Sequence, residues 1–180
     1  MILEMGRPVD AEGREAREMR TYDLLDRLGI SYARVDHAPA DTMEACVAVD
    51  AALGATMCKN LFLCNRQQTD FYLLMMPADK PFRTKELSAQ IETARLSFAD
   101  EAAMVALLDI YPGAVSVLGL MNDHEKRVNL LIDKDLLQDP YVGCHPCVNT
   151  SSLKIATRDI TEVFLPSTGH DYRTVTLTGE

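Results

Sequence analysis

Met57-Cys58-Lys59-Asn60-Leu61-Phe62-Leu63-Cys64, then Asn65-Arg66-Gln67-Gln68-Thr69-Asp70, then Phe71-Tyr72-Leu73-Leu74-Met75-Met76 is the stretch on which the fold reading turns. Two apolar runs of strand length bracket six polar residues, the length and polarity of a hairpin loop. Upstream, Asp41 or Thr42 supplies an N-cap for a helix that runs to Leu53 and stops at Gly54. Further back, Met19, Tyr22, Leu25 and Leu28 recur at helical spacing from Arg14 onward, with Gly29 at the expected C-cap. Residues 30–35 read as a short strand ended by His37-Ala38-Pro39, and residues 1–13 as a loose or weakly docked leader. Downstream come a short helix at 86–91, a helix at 100–108, and strands at 114–120, 128–133, 150–156 and 174–177, with a helix at 157–165 between the last two. These elements make a mixed α/β (α+β) domain whose strands join through hairpins and short helices. No GxGxxG or P-loop is present, so a doubly wound nucleotide-binding sheet is not expected.

At 180 residues and 47% hydrophobic, the chain buries one substantial core, and residues 14–180 read as a single domain. Five cysteines without a signal segment argue against a secreted disulfide scaffold, and no apolar run approaches roughly 18 residues. A cytoplasmic protein with reduced thiols and no membrane span is expected. The net charge of −9 opposes broad binding to nucleic acid, which depends on neutralised phosphates. Any RNA contact must therefore be local.

Four constellations carry candidate chemistry. Lys59 and Asn60 place an ammonium and an amide in an apolar strand, which is costly unless they face a site or are paired. The bland alternative is an edge lysine reaching water, with Asn60 at a bulge. In Tyr111-Pro112-Gly113-Ala114-Val115-Ser116-Val117-Leu118-Gly119-Leu120, glycines flank a small apolar run that admits close approach of a ligand or another backbone. An ordinary turn before a tight sheet crossing fits as well.

Val142-Gly143-Cys144-His145-Pro146-Cys147-Val148-Asn149-Thr150 holds a histidine in a constrained loop, able to exchange a proton near neutral pH or to serve only as a hydrogen-bonded loop residue. Cys144 and Cys147 have CxxC spacing but no second ligand pair at zinc spacing, and neither a metal nor a cofactor is expected. Lys80, Arg83 and Lys85, with Arg95 further on, form the one basic group suited to phosphates, or else a solvated face. His37, His124 and His170 lie beside turn-like residues and read as surface positions.

Taken in order, Lys59-Asn60-Leu61-Phe62-Leu63, Lys85-Glu86-Leu87, Arg95-Leu96-Ser97-Phe98-Ala99, Pro112-Gly113-Ala114-Val115-Ser116 with Gly119-Leu120, Asp133, and His145-Pro146 with Asn149-Thr150 resemble the YbaK/aminoacyl-tRNA-synthetase-associated domain family, nearest its PrdX/ProX branch. The resemblance implies a barrel-like mixed sheet surrounded by helices and hydrolysis of the ester linking an amino acid to the terminal adenosine of tRNA. By position, Lys59 would contact the terminal nucleotide, Asn60 would orient the aminoacyl end, and His145 would complete the catalytic set. Gly113, Ala114, Ser116, Gly119 and Gly143 would wall the pocket, with Asn149 and Thr150 supporting it, and Lys80, Arg83 and Lys85 would meet tRNA phosphates. The implied substrate is alanyl-tRNA(Pro), with cysteinyl-tRNA(Pro) hydrolysis or a non-catalytic binding module as alternatives. Prolyl-tRNA synthetase is the implied partner, and a homodimer is admitted.

Overall fold

In the computed structural model, which describes residues 1–180, β1 (Leu3–Met5) and β2 (Tyr32–Asp36) flank α1 (Ala16–Arg27). After α2 (Met43–Leu53) comes the hairpin of β3 (Lys59–Cys64) and β4 (Phe71–Met76). There follow α3 (Thr84–Gln90), β5 (Ser97–Phe98), α4 (Glu101–Leu108), a 3-10 helix (Val117–Asn122), β6 (Val128–Asp133), β7 (Tyr141–Cys144) and β8 (Ser151–Ala156). The chain closes with α5 (Thr157–Asp159), a π-helical turn (Ile160–Phe164), α6 (Leu165–Thr168) and β9 (Tyr172–Val175). No helix is long and apolar enough to cross a membrane.

The hairpin forms in the register its sequence suggests, with Lys59 opposite Met76 and Cys64 opposite Phe71. Its loop is tied by Asn65, whose Oδ1 accepts from the backbone N–H groups of Thr69 and Asp70. The α2 ends are also local chemistry. Thr42 accepts from Ala45 N at 3.1 Å, and Gly54 takes the left-handed conformation at φ 69° that closes the helix.

Two sheets result: a four-stranded one in the order β1-β2-β8-β7 and a five-stranded one in the order β5-β3-β4-β6-β9. They meet where Met57, just before β3, runs parallel to Gly143 of β7. Cys58 N donates to Gly143 O and Gly143 N to Thr56 O, both at 3.2 Å. This seam gives the mixed α/β fold its barrel-like closure.

Strand alternation sorts the hairpin's side chains. Phe62 and Cys64, with Phe71, Leu73 and Met75, enter the large core shared with the first sheet. Leu61 and Leu63, with Leu74 and Met76, enter a smaller cluster with Leu87, Ile91 and Leu96 around α3. By the same alternation Lys59 projects toward the α3 face and Asn60 toward the large core.

Several expectations are corrected. Within residues 1–13, expected as a loose or weakly docked leader, the exposed β1 pairs antiparallel with β2, and the Arg34 guanidinium, 2% exposed, bonds Glu4 at 2.5 Å. Three pairing residues without periodicity leave no strand signal. Residues 114–120 are not a strand; Ser116 Oγ accepts from Leu118 N and starts the 3-10 helix instead. The loop expected at 142–150 begins as β7. The last helix continues past residue 165 to Thr168 through the π turn, and β9 starts at Tyr172. His170 is buried rather than on the surface, with Nε2 2.9 Å from Asp123 Oδ2 and Nδ1 2.8 Å from Thr168 Oγ1. That partner lies 47 positions away, outside local pattern. His124 is exposed as expected.

A Cβ on Gly143 would stand 2.9 Å from Met57 Sδ and 3.0 Å from both Met57 Cα and Thr56 O. Gly143→Ala should therefore strain the seam and cost about 1–3 kcal/mol. Urea unfolding followed by circular dichroism checks this; an unchanged midpoint would show that the seam yields freely.

Candidate active site

The seam also assembles the site. Asn60, two residues past Cys58, donates through Nδ2 to Cys58 O at 3.3 Å and lies 3.4 Å from Cys58 Sγ. Its Oδ1 is buried and has no partner. The amide is oriented unambiguously, because only the NH₂ group can donate to a carbonyl. A buried acceptor left open in this way costs stability and invites a donor from a ligand.

The other wall comes from two loops. Gly113, at φ 90°, sits where a Cβ would lie 3.7 Å from Asn149 Nδ2. Ala114 and Ser116 are buried beyond it, and the Ser116 hydroxyl lies against the Cys144 thiol, whose neighbour is Cys58. Contacts thus run from Asn60 to Cys58 and from Cys144 to Ser116, with Cys58 and Cys144 as neighbours.

His145 follows Cys144 on the same segment. Its Nδ1 is 2.9 Å from Ser151 O, and a carbonyl only accepts, so Nδ1 carries the proton and Nε2 the lone pair. Burial holds its pKa below the ordinary 6.5; the Ser151 bond opposes that shift and nearby His37 adds to it. His37 stands beside it, ring centroids 6.4 Å apart. Its Nδ1 is bonded to Ala38 O and its Nε2 to Ser152 Oγ, each at 2.8 Å, while its backbone N–H donates to Thr150 O.

Behind the histidines lies a polar network that sequence reading did not find. Arg14 donates to Glu18 at 2.7 Å and to Asp36 at 2.8 Å, Tyr22 OH donates to Glu18 at 2.6 Å, and Ser151 Oγ donates to Asp36 at 2.6 Å. Burial raises the Asp36 pKa, but the bonds from Arg14 and Ser151 outweigh it and hold the carboxyl below its usual range. The network anchors Ser151, which orients His145. The visible hint was the pair Ser151-Ser152 opening the strand.

Some expected residues do other things. Lys59 Nζ donates to Lys80 O at 2.5 Å on the α3 face. Lys80 is itself taken up by Asp133 at 2.8 Å, Asp135 at 2.8 Å and Leu177 O at 2.7 Å, which leaves no donor for a phosphate. Gly119 packs into the core, where a Cβ would meet Ile110 Cδ1 at 2.6 Å, and a Cβ on Gly143 would crowd Met57. Arg83 and Lys85 line an open groove with Arg95. Cys144 and Cys147 are buried, as is Cys58; burial raises all three thiols, Cys58 and Cys147 to about 11, so none is a ready nucleophile. No three His, Cys, Asp or Glu side chains converge as a metal-binding group.

The two-sheet fold joins at one seam the segment that leads to Asn60 and the segment that leads to His145. The family model described as the aminoacyl-tRNA editing domain matches residues 37–163, and the chain belongs to that family. It is 30% identical over 153 residues to the prolyl-tRNA editing protein ProX of Acetoanaerobium sticklandii, covering 85% of this chain and 93% of that one. It is 29% identical over 150 residues to prolyl-tRNA synthetase associated domain-containing protein 1 of Danio rerio, covering 82% and 80%. A crystal structure described as a putative trans-editing enzyme for prolyl tRNA synthetase shares the fold, with a TM-score of 0.67 and 17% identity over 91% of this chain and 98% of that one.

The lowered pKa of His145 has a sign that can be measured. Between the folded value and the ordinary 6.5, the unfolded chain binds a proton that the folded chain does not, so stability is full above 6.5 and declines as pH falls through it. Thermal midpoints recorded from pH 7.5 to 5.5 should decline less steeply for His145→Gln than for the parent. Parallel declines would mean that the imidazole is not desolvated.

Proposed function

We propose that the chain is a trans-editing deacylase that hydrolyses alanyl-tRNA(Pro). The observation that carries this reading is the unpartnered Oδ1 of Asn60, an acceptor suited to the α-ammonium of an aminoacyl group. Lys59 and Asn60 leave β3 on opposite faces, which supports a division of work. Lys59 would reach the terminal nucleotide after exchanging the Lys80 carbonyl for a phosphate, and Asn60 would hold the amino acid.

An aminoacyl ester is already activated, so a positioned water and donors for the oxyanion suffice. The Nε2 lone pair of His145 would orient that water, helped by the ribose hydroxyl, and the backbone N–H of Gly113 would serve the carbonyl oxygen, the Ala114 N–H being taken by Tyr111 O. Ala114 and Ser116 leave room for a methyl side chain, and the proline ring is refused by overlap, which discriminates more strongly than a lost methylene contact. The tRNA(Pro) assignment rests on the likeness to ProX, and delivery by prolyl-tRNA synthetase accords with the acidic surface.

Single-turnover deacylation of alanyl-, cysteinyl- and prolyl-tRNA(Pro) tests the proposal. Rapid loss of alanine alone is expected, slowed roughly 100-fold or more in Asn60→Ala and in Lys59→Ala. Preferential loss of cysteine would move the substrate, and no hydrolysis of any would replace the enzyme reading with a binding module.

A further inference from the structure

Helix α1 touches both loops that carry candidate site residues, and it does so through side chains outside the Arg14, Glu18 and Tyr22 network. Arg17 Nη1 donates to Asp109 O at 3.0 Å and stands 3.6 Å from Asp109 Oδ1, while Arg20 pairs with the same carboxylate. The Arg17 guanidinium also lies over the Tyr111 ring, 4.2 Å from its centroid, and its Nε meets Glu15 at 3.0 Å. One helical turn on, Thr21 Oγ1 lies 3.5 Å from Cys147 Sγ.

Those contacts fall where the backbone is strained. Asp109 and Cys147 take the left-handed conformation, at φ 53° and 63°, without being glycine. Such residues persist only where their surroundings over-determine them. Asp109 ends α4, and a guanidinium on its carbonyl answers the negative end of that helix. Two residues later Tyr111 is 48% exposed, so burial does little to fix its ring and the cation above it does more. Tyr111 O in turn accepts from Ala114 N at 3.2 Å, which closes the turn around Gly113. No backbone acceptor takes the Gly113 N–H.

We propose that Arg17 is a positioning residue: gripping Asp109 O and the Tyr111 ring together, it holds the turn that aims the Gly113 N–H at the ester carbonyl oxygen. The inference rests on the deacylase reading and names what keeps its oxyanion donor in place. Arg17 acts through Asp109 and Tyr111 and touches no substrate. A planar guanidinium can donate at its edge while its face covers a ring, which neither an ammonium nor an amide reproduces. A donor displaced by about 1 Å costs up to roughly 100-fold in rate, and the loss appears in the transition state rather than in substrate binding.

The test uses the full chain. Arg17→Gln should lower kcat for alanyl-tRNA(Pro) roughly 10- to 100-fold with KM held within about 2-fold. Tyr111→Leu, at a half-exposed ring, should do the same, whereas Tyr111→Phe, which keeps the ring, should retain most of the parent rate. Arg17→Gln combined with Tyr111→Leu should be no slower than the slower single variant, because both break one coupled arrangement. Amide hydrogen exchange reads the turn without any substrate. The Ala114 N–H should exchange faster in Arg17→Gln and in Tyr111→Leu while the β4 amides keep the parent rates; a variant that was merely less stable would speed both.

Parental kcat in Arg17→Gln, losses that multiply in the double variant, or unchanged Ala114 exchange would overturn the positioning role. A parent protein that hydrolyses no aminoacyl-tRNA would instead sink the deacylase reading, and faster Ala114 exchange in Arg17→Gln would still show that α1 holds the turn.

Discussion

Two backbone hydrogen bonds at Gly143 hold the two sheets edge to edge, and the placing of the candidate site residues depends on them. Each sheet alone is an ordinary product of local pairing. The seam brings the segment before β3 against β7, so that Cys58 and Cys144 become neighbours, and Asn60 and His145 follow them along the chain. The absence of a Cβ at Gly143 permits that approach. Gly143, expected in a pocket wall, is thus also a condition of the architecture.

Within the site, burial does most of the tuning. It lowers the basicity of His145, which keeps the imidazole neutral and its Nε2 lone pair available, while Ser151 O fixes which nitrogen that is. The same burial raises the thiols of Cys58, Cys144 and Cys147 and silences them as nucleophiles. Desolvation therefore selects, among residues a motif search would treat alike, the one able to accept a hydrogen bond from water at neutral pH. The Arg14, Glu18, Tyr22, Asp36 and Ser151 network gives that arrangement rigidity, since its charged members are satisfied by one another.

Charge is handled by segregation. Arg7, Arg14, Arg17, Arg20, Arg34 and Arg158 neutralise carboxylates within the fold, and Lys80 fastens Asp133, Asp135 and the carbonyl of Leu177. The acidic net charge is thus compatible with a local strip of unpaired cations on the α3 face. Lys59 and Asn60, adjacent in β3, face opposite sides of the sheet.

By itself the sequence determined the local elements whose causes are local. The β3–β4 hairpin follows from two apolar runs around a polar loop, α2 from Thr42 and Gly54, α4 from its Asp100 cap, and the family likeness from ordered short motifs. It also marked Lys59, Asn60, Gly113 and His145 as unusual for where they stood. Only the tertiary structure decided that β1 docks through Glu4 and Arg34, that Gly119 serves packing, that Lys80 is spent on Asp133, that His170 is buried against Asp123, and that His37 and Ser151 stand behind His145. The physical reason is range. Caps, turns and periodicity act over a few residues, whereas desolvation and ion pairing depend on partners brought together from across the chain, such as Lys80 with Asp133 at a separation of 53 and Asp36 with Ser151 at 115.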